Sequence, residues 1–291
     1  MRLKADFTLL FIAIIWGTAF VAQAFAGRVG SVYFFNGFRF LLAALFVLPF
    51  ALRAGRATSP ASMRDSRRWL WMIVAGVVLF SAAAFQQLGL LQTTAGHAGF
   101  ITSLYVVFVP MVLFIFWRER PHWLGILAVF LAAGGAFLLS TGGKSLVPQP
   151  GDMLELLGAF LWTLHVILLG KVASRFEPLA FSAGQFAICG LLNLALALFV
   201  ERPARPDIQA LVFPIIYTAI FSVGIGYTLQ VWAQRYTPPS DAALILSLES
   251  VFAALSGWVI LDERLSLVQV AGCTLIFLAV LLSQSKPQVY G

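Results

Sequence analysis

Apolar residues run along this chain in long blocks, interrupted at near-regular intervals by short clusters of Gly, Pro and charged residues. Ten blocks stand out, at residues 7–26, 32–51, 69–90, 97–117, 122–140, 152–170, 178–200, 209–233, 240–260 and 266–284. Each approaches the roughly 20 residues that a helix rising about 1.5 Å per residue needs to cross about 30 Å of hydrocarbon. The pattern predicts an all-α integral membrane fold of ten transmembrane helices, numbered here as spans 1–10 in chain order. It leaves no room for a soluble catalytic domain.

Polar positions inside the blocks divide the spans into two kinds. Several carry one polar stripe at helical spacing. Span 1 has Trp16, Phe20 and Gln23; span 3 has Gln86 and Gln87; span 4 has Thr102 and Tyr105. Span 6 has Glu155, Trp162 and His165; span 8 has Tyr227, Gln230 and Gln234; span 9 has Glu249. Spans 5 and 10 carry small residues instead, Ala132, Ala133, Gly134 and Gly135 in one and Ala271 and Gly272 in the other. Small residues let helix backbones approach closely. The expectation is a polar cavity walled by spans 1, 3, 4, 6, 8 and 9. Spans 5 and 10 then lie at the periphery, where they offer a surface for a homodimer.

The blocks also repeat. At an offset of 144, Gln86 matches Gln230, Thr93 matches Thr237, Ala98 matches Ala242, Ser103 matches Ser247, Phe108 matches Phe252 and Glu119-Arg120 matches Glu263-Arg264. Nearer the start of each half the offset is 146, pairing Trp16 with Trp162 and Phe40 with Phe186. The expected organisation is a first five-helix repeat at 1–140, a linker at 141–151 and a second five-helix repeat at 152–285. An odd number of spans per copy puts the second copy into the bilayer upside down. Such inverted repeats characterise many secondary transporters, which bind their cargo near the bilayer midplane where the repeats meet.

Charge agrees with this layout. Of 19 Lys and Arg, Arg28, Lys144, Arg202, Arg205 and Arg264 fall in segments on one side and Arg39 falls within span 2; all the others fall on the side of the N-terminus. The positive-inside rule therefore predicts both termini in the cytoplasm, in the cell's inner membrane. The formal charge of +7 is thus a membrane-topology signal and implies no nucleic-acid partner. Cys189 and Cys273 both lie in mid-span with no metal-ligand spacing, and no cofactor is implied. Residues 1–26 resemble a cleavable leader, with Ala22-Gln23-Ala24 as the cleavage-like triplet, but their match to span 6 favours a retained helix. Thr141-Gly-Gly-Lys-Ser145 lacks the upstream glycine of a phosphate loop and reads as plain linker.

Glu249 is the sharpest candidate, because a mid-membrane carboxylate is costly unless paired, wetted or protonated. It reads as a substrate-amine contact, a proton-coupling group or a hydrogen-bonded packing residue. His165 and Trp162 read as cavity lining, with His165 a second proton-coupling candidate, or as buried packing. Gln86 and Gln230 are cavity residues, since amides in hydrocarbon need a wet site. Arg39, a turn or two into span 2, reads either as a partner for Glu249 or a substrate anion or, the favoured expectation, as a side chain that snorkels toward the outer interface. His97 and Asp241 read as helix-end devices, and Glu119-Arg120 and Glu263-Arg264 as interfacial anchors; Pro110 and Pro214 are places where a helix breaks or kinks.

Several stretches together resemble the drug/metabolite transporter superfamily, in its EamA-like two-repeat form. They are Trp16-Gly-Thr-Ala-Phe20, Phe38-Arg-Phe40, Gly99 to Pro110, Arg118-Glu-Arg-Pro121, Leu229 to Gln234, Leu248-Glu-Ser-Val-Phe252 and Asp262-Glu-Arg264. The resemblance implies ten helices in inverted five-helix repeats and alternating access about a central cavity. Relatives of that kind include exporters of aromatic amino acids and carriers of nucleotide sugars and sugar phosphates. The span 1 glutamate of the small multidrug members has no counterpart within span 1 here, so their proton-for-cation exchange is not implied.

The resulting expectation is a secondary carrier, in the exporting direction, of a small polar metabolite, an amino acid foremost. Its cavity would be built from Trp16, Gln23, Gln86, Thr102, Tyr105, Trp162, His165, Tyr227, Gln230 and Glu249. A carrier of anionic metabolites and a non-transporting receptor or assembly subunit are the alternatives. An enzyme is not expected, since no Gly-x-Ser-x-Gly elbow, His-Glu-x-x-His helix or paired-aspartate motif is present.

Overall fold

Ten spans long and apolar enough to cross a membrane occur among the described residues of the computed structural model, which are 1–28, 32–57, 68–93, 95–145, 147–201, 208–261 and 264–285. They are α1 (Arg2–Arg28), α2 (Tyr33–Ala57), α3 (Arg68–Leu90), α4 and α5 (Ala95–Ser103, Tyr105–Trp117), α6 (Trp123–Thr141), α7 (Asp152–Val172) and α8 (Pro178–Val200). Span 8 follows as α9 (Ile208–Tyr217), a π-helical stretch Thr218–Tyr227 and α10 (Thr228–Ala233). Span 9 is α11 (Pro239–Leu246) and α12 (Glu249–Leu261), and span 10 is α13 (Leu267–Gln284). Helix is the fold that satisfies backbone polar groups within each segment, as hydrocarbon demands. Large side chains such as Phe130, Phe199 and Leu267 stand exposed on the outer faces, where acyl chains would solvate them.

The breaks in spans 4 and 9 fall at matching places, and not at Pro110, which lies inside α5. Leu104 N–H donates to the Ile101 carbonyl, and Leu248 N–H to the Ile245 carbonyl, each a tightened i→i−3 turn. The preceding serines do the same: Ser103 Oγ donates to Phe100 O and Ser247 Oγ to Leu244 O, both at 2.7 Å. A hydroxyl competing for a helix carbonyl bends the helix. Two copies of one sequence signal, Ser-Leu, thus make the same bend and set Tyr105 and Glu249 at the start of the next helix. Pro214 lies inside α9, and its carbonyl accepts the Thr218 hydroxyl at 2.6 Å where the π-helical stretch begins.

Matching elements of the two halves pack on one another. The most extensive pairings are α2 with α8 and α6 with α13. Phe40 meets Phe186 at 6.3 Å across the first. At the second, a Cβ added to Gly272 would sit 2.6 Å from the Gly135 carbonyl oxygen, and one added to Gly135 would sit 2.7 Å from that of Gly272. Of the small residues expected to offer a homodimer surface, Ala132, Gly135 and Gly272 are buried inside the chain, the two glycines joining spans 5 and 10 backbone to backbone, while Gly134 and Ala271 stay exposed.

Helix ends are tied by paired links. Thr93 donates to Asp152 at 2.7 Å between the ends of spans 3 and 6, and Thr237 donates to Asp6 at 2.7 Å between the ends of spans 8 and 1. Asp241 accepts from Arg2 at 2.5 Å, so its part at the helix end is an ion pair. Glu119 pairs with Lys171 at 2.5 Å. Glu263 and the His97 side chain lie outside what is described.

Candidate functional site

The bend in span 9 delivers Glu249 into the centre of the bundle, where it is 4% exposed. Its Oε1 accepts the Tyr105 hydroxyl at 3.0 Å. These two residues occupy the same position in the two halves, 144 apart. Phe40 and Phe186, equivalent at offset 146, also meet in the core.

Around that point is a cavity of about 40 Å³, enough for a few waters and surrounded by polar groups. Of the expected lining residues, Trp16, Gln23, Gln86, Thr102, Tyr105, Trp162, Tyr227, Gln230 and Glu249 all border it. They come from spans 1, 3, 4, 6, 8 and 9. Tyr227 is the keystone of an aromatic wall, 4.7 Å from Trp16 and stacked at 5.8 Å on Trp162. Such ring pairs each add about 0.5–1.5 kcal/mol beyond area burial.

The π-helical stretch of span 8 shapes this wall. Trp16 Nε1 donates to the Ser222 carbonyl at 3.0 Å, fixing the indole against the widened helix. Gly226 makes room, since a Cβ there would fall 2.7 Å from Trp16 Nε1. Single π-turns recur at functional sites because they re-aim side chains and free carbonyls.

Two expectations change. His165 does not border the cavity: it is fully buried behind the wall, edge-on to Trp162 and Tyr227 and 3.0 Å from Gln185 Oε1. Its stripe is shared with Trp162, but three residues along a helix turn it toward span 7. Arg39 does not snorkel. It is 3% exposed and borders the cavity, with Nη1 donating to Gln23 Oε1 at 2.8 Å and the guanidinium within about 5 Å of the Phe35 and Phe40 rings.

Glu155 is a second buried carboxyl, reached from the cavity by a hydrogen-bonded relay. Gln86 Nε2 donates to Thr102 Oγ1 and Thr102 Oγ1 to Glu155 Oε2, both at 3.2 Å. Among the described residues no group of three or more His, Cys, Asp or Glu could hold a metal ion.

The family model of EamA-like transporters matches residues 3–141 and again 149–284. The chain belongs to the EamA-like transporter family. An uncharacterized transporter of Archaeoglobus fulgidus is 32% identical over 97% of this chain and 86% of its own. A WAT1-related chloroplastic protein of Arabidopsis thaliana is 24% identical over 92% of this chain and 66% of its own. A solved crystal structure superposes with a TM-score of 0.80 at 16% identity, covering 97% of this chain and 98% of that one, which establishes the shared fold. This EamA-like chain is therefore a multi-pass membrane protein of a small-molecule transporter family.

Three site features of this EamA-like protein were missed in the sequence. Ser222 gave no signal, because it serves through its carbonyl. Arg39 was visible as the one base within a span, but depth along the helix does not say which way a long side chain turns. The Thr93–Asp152 and Thr237–Asp6 links were recoverable, since offset 144 relates the threonines and 146 the aspartates.

Proposed function

We propose that the chain is a secondary carrier of small polar metabolites, amino acids foremost, working by alternating access between two inverted halves. It acts without covalent chemistry, in the cell's inner membrane, with both termini in the cytoplasm. The observation that carries this reading is the buried cavity walled by matched residues of both halves, with Glu249 and Tyr105 meeting at its centre.

Inversion is supported by the paired end links. Thr93 of the first half bonds Asp152 of the second, and Thr237 of the second bonds Asp6 of the first. Repeats related by an in-plane twofold axis, each of five spans, would place these two links at opposite membrane faces. Breaking one set while keeping the other would open the cavity to one side at a time. The existing cavity holds only water-sized guests, so a metabolite enters as the halves rock apart. Export is the direction that the resemblance to amino-acid exporters favours.

A carrier of anionic metabolites is the second reading, and Arg39 at the cavity favours it. One guanidinium is a weak clamp for phosphate, which binds best to several fork-like donors, and the neighbouring Glu249 would repel it.

Counterflow into proteoliposomes loaded in turn with amino acids, sugar phosphates and nucleotide sugars tests this. The expected result is labelled amino-acid accumulation by the native chain and little by Glu249→Gln. Accumulation of the phosphorylated solutes alone would transfer the reading to the anionic class. Absence of flux with every solute would favour a receptor or assembly role.

A further inference from the structure

Arg39 is a cation almost completely removed from solvent in the middle of a membrane bundle. Such a charge is normally matched by an anion. Among the described residues, no carboxylate lies within ion-pair distance of it. Its hydrogen-bond partner is a neutral amide, Gln23, and its Nε is buried with none. Phe35 and Phe40 support the guanidinium through their faces but neutralise nothing. Glu249 borders the same cavity, yet its carboxylate is bonded to the Tyr105 hydroxyl.

Two other groups on the wall are left without a partner. Trp162 Nε1 is a buried donor without an acceptor, and Gln230 Oε1 a buried acceptor without a donor. Native interiors rarely leave such groups orphaned, so those around a cavity are partners for water or for a guest that displaces it. The cavity is therefore bordered by one cation without an anion, one carboxyl, one spare N–H donor and one spare amide oxygen. A guest carrying a carboxylate and an ammonium answers both charged groups at once. A simple amine leaves Arg39 unmatched, and a simple anion leaves Glu249 opposed.

We propose that Arg39 is the docking point for the carboxylate of a zwitterionic guest whose ammonium is received by Glu249, making the carrier selective for free α-amino acids over their amines and N-acyl derivatives. Gln23 is a positioning residue, holding the guanidinium toward the cavity from span 1. The second half carries Gln185 at the position equivalent to Arg39, where it bonds His165 and does not border this cavity. The anchor is therefore a one-sided addition to an otherwise duplicated frame. This inference rests on the carrier reading, and it commits that reading to a recognition chemistry.

The test uses the full chain in proteoliposomes, with whichever of the twenty L-amino acids gives the strongest counterflow, together with its decarboxylated amine and its N-acetyl derivative. The native chain should carry the amino acid at least about tenfold faster than either derivative. Arg39→Gln, which installs the residue found at the equivalent site, should lower amino-acid flux about tenfold or more while amine flux stays within about twofold. Arg39→Lys should restore part of the loss, because it keeps the charge without the fork. Glu249→Gln should show the converse preference, sparing the N-acetyl derivative. An unchanged melting temperature for Arg39→Gln separates lost recognition from lost folding. Amino-acid flux undiminished in Arg39→Gln, or equal loss of amine and amino-acid flux, would overturn the anchor and leave the carrier standing. Flux of phosphorylated solutes but of no amino acid would also overturn it with the carrier intact, whereas no flux of any solute would remove both.

Discussion

The two halves of this transporter agree in their frame and disagree in their charges. Trp16 and Trp162 both border the cavity, as do Gln86 and Gln230, and the bends after Ser103 and Ser247 are the same bend made twice. Yet Tyr105 stands where Glu249 does, and Arg39 where Gln185 does. The first half thus contributes the cation and a neutral phenol, the second the carboxyl and a neutral amide. Packing is a property of the duplicated frame; the proposed recognition assigns selectivity to the positions where the copies have diverged.

The sharpest way to break this contrast is at Tyr105 and Glu249. Glu249→Gln is expected to lower counterflow about thirtyfold, the effect of removing one partner of a buried charge contact. Tyr105→Phe removes one hydrogen bond to a retained carboxyl, and should cost about fivefold. Equal losses would mean that the pair is only structural packing.

The frame makes a different prediction, equal effects on the two sides of one contact. Gly135→Leu and Gly272→Leu each push a side chain into the opposing backbone. Each should destabilise the protein by about 2–3 kcal/mol, read as a lowered melting temperature in detergent. A large effect of one with no effect of the other would deny that the two glycines form one backbone-to-backbone contact.

Gln185→Leu tests the divergent position away from the cavity. It leaves His165 without its partner and should lower stability by about 1 kcal/mol without changing preference among solutes. A changed preference would place Gln185 in recognition. The smallest effect is expected from Trp16→Phe, which keeps the aromatic wall and loses the bond to the Ser222 carbonyl, for about 0.5–1 kcal/mol of stability.

How much of this was legible in the sequence follows from what each signal reports. The ten spans were readable because hydrocarbon leaves helix as the ready solution for an apolar block. Repeat offsets made Gln86 and Gln230 readable as partners in one site. The bends at Leu104 and Leu248 were not read, since proline was the expected breaker and both spans lack it there. The small residues of spans 5 and 10 were read correctly as close-packing surfaces, but a stripe does not name what it packs against. His165 and Arg39 were exchanged in depth for one shared reason: a side chain's rotation about its helix is set by the neighbours that the fold supplies, and those are not local in sequence.

Alternating access through the central cavity is the claim on which the rest depends. It is tested most directly by replacing Cys189 and Cys273 with Ala, introducing Gln230→Cys, and applying a small membrane-impermeant thiol reagent from either side of the bilayer. The account predicts labelling from both sides, slowed by a transported amino acid and accompanied by loss of flux. Labelling from one side only, or labelling that leaves flux intact, would contradict it.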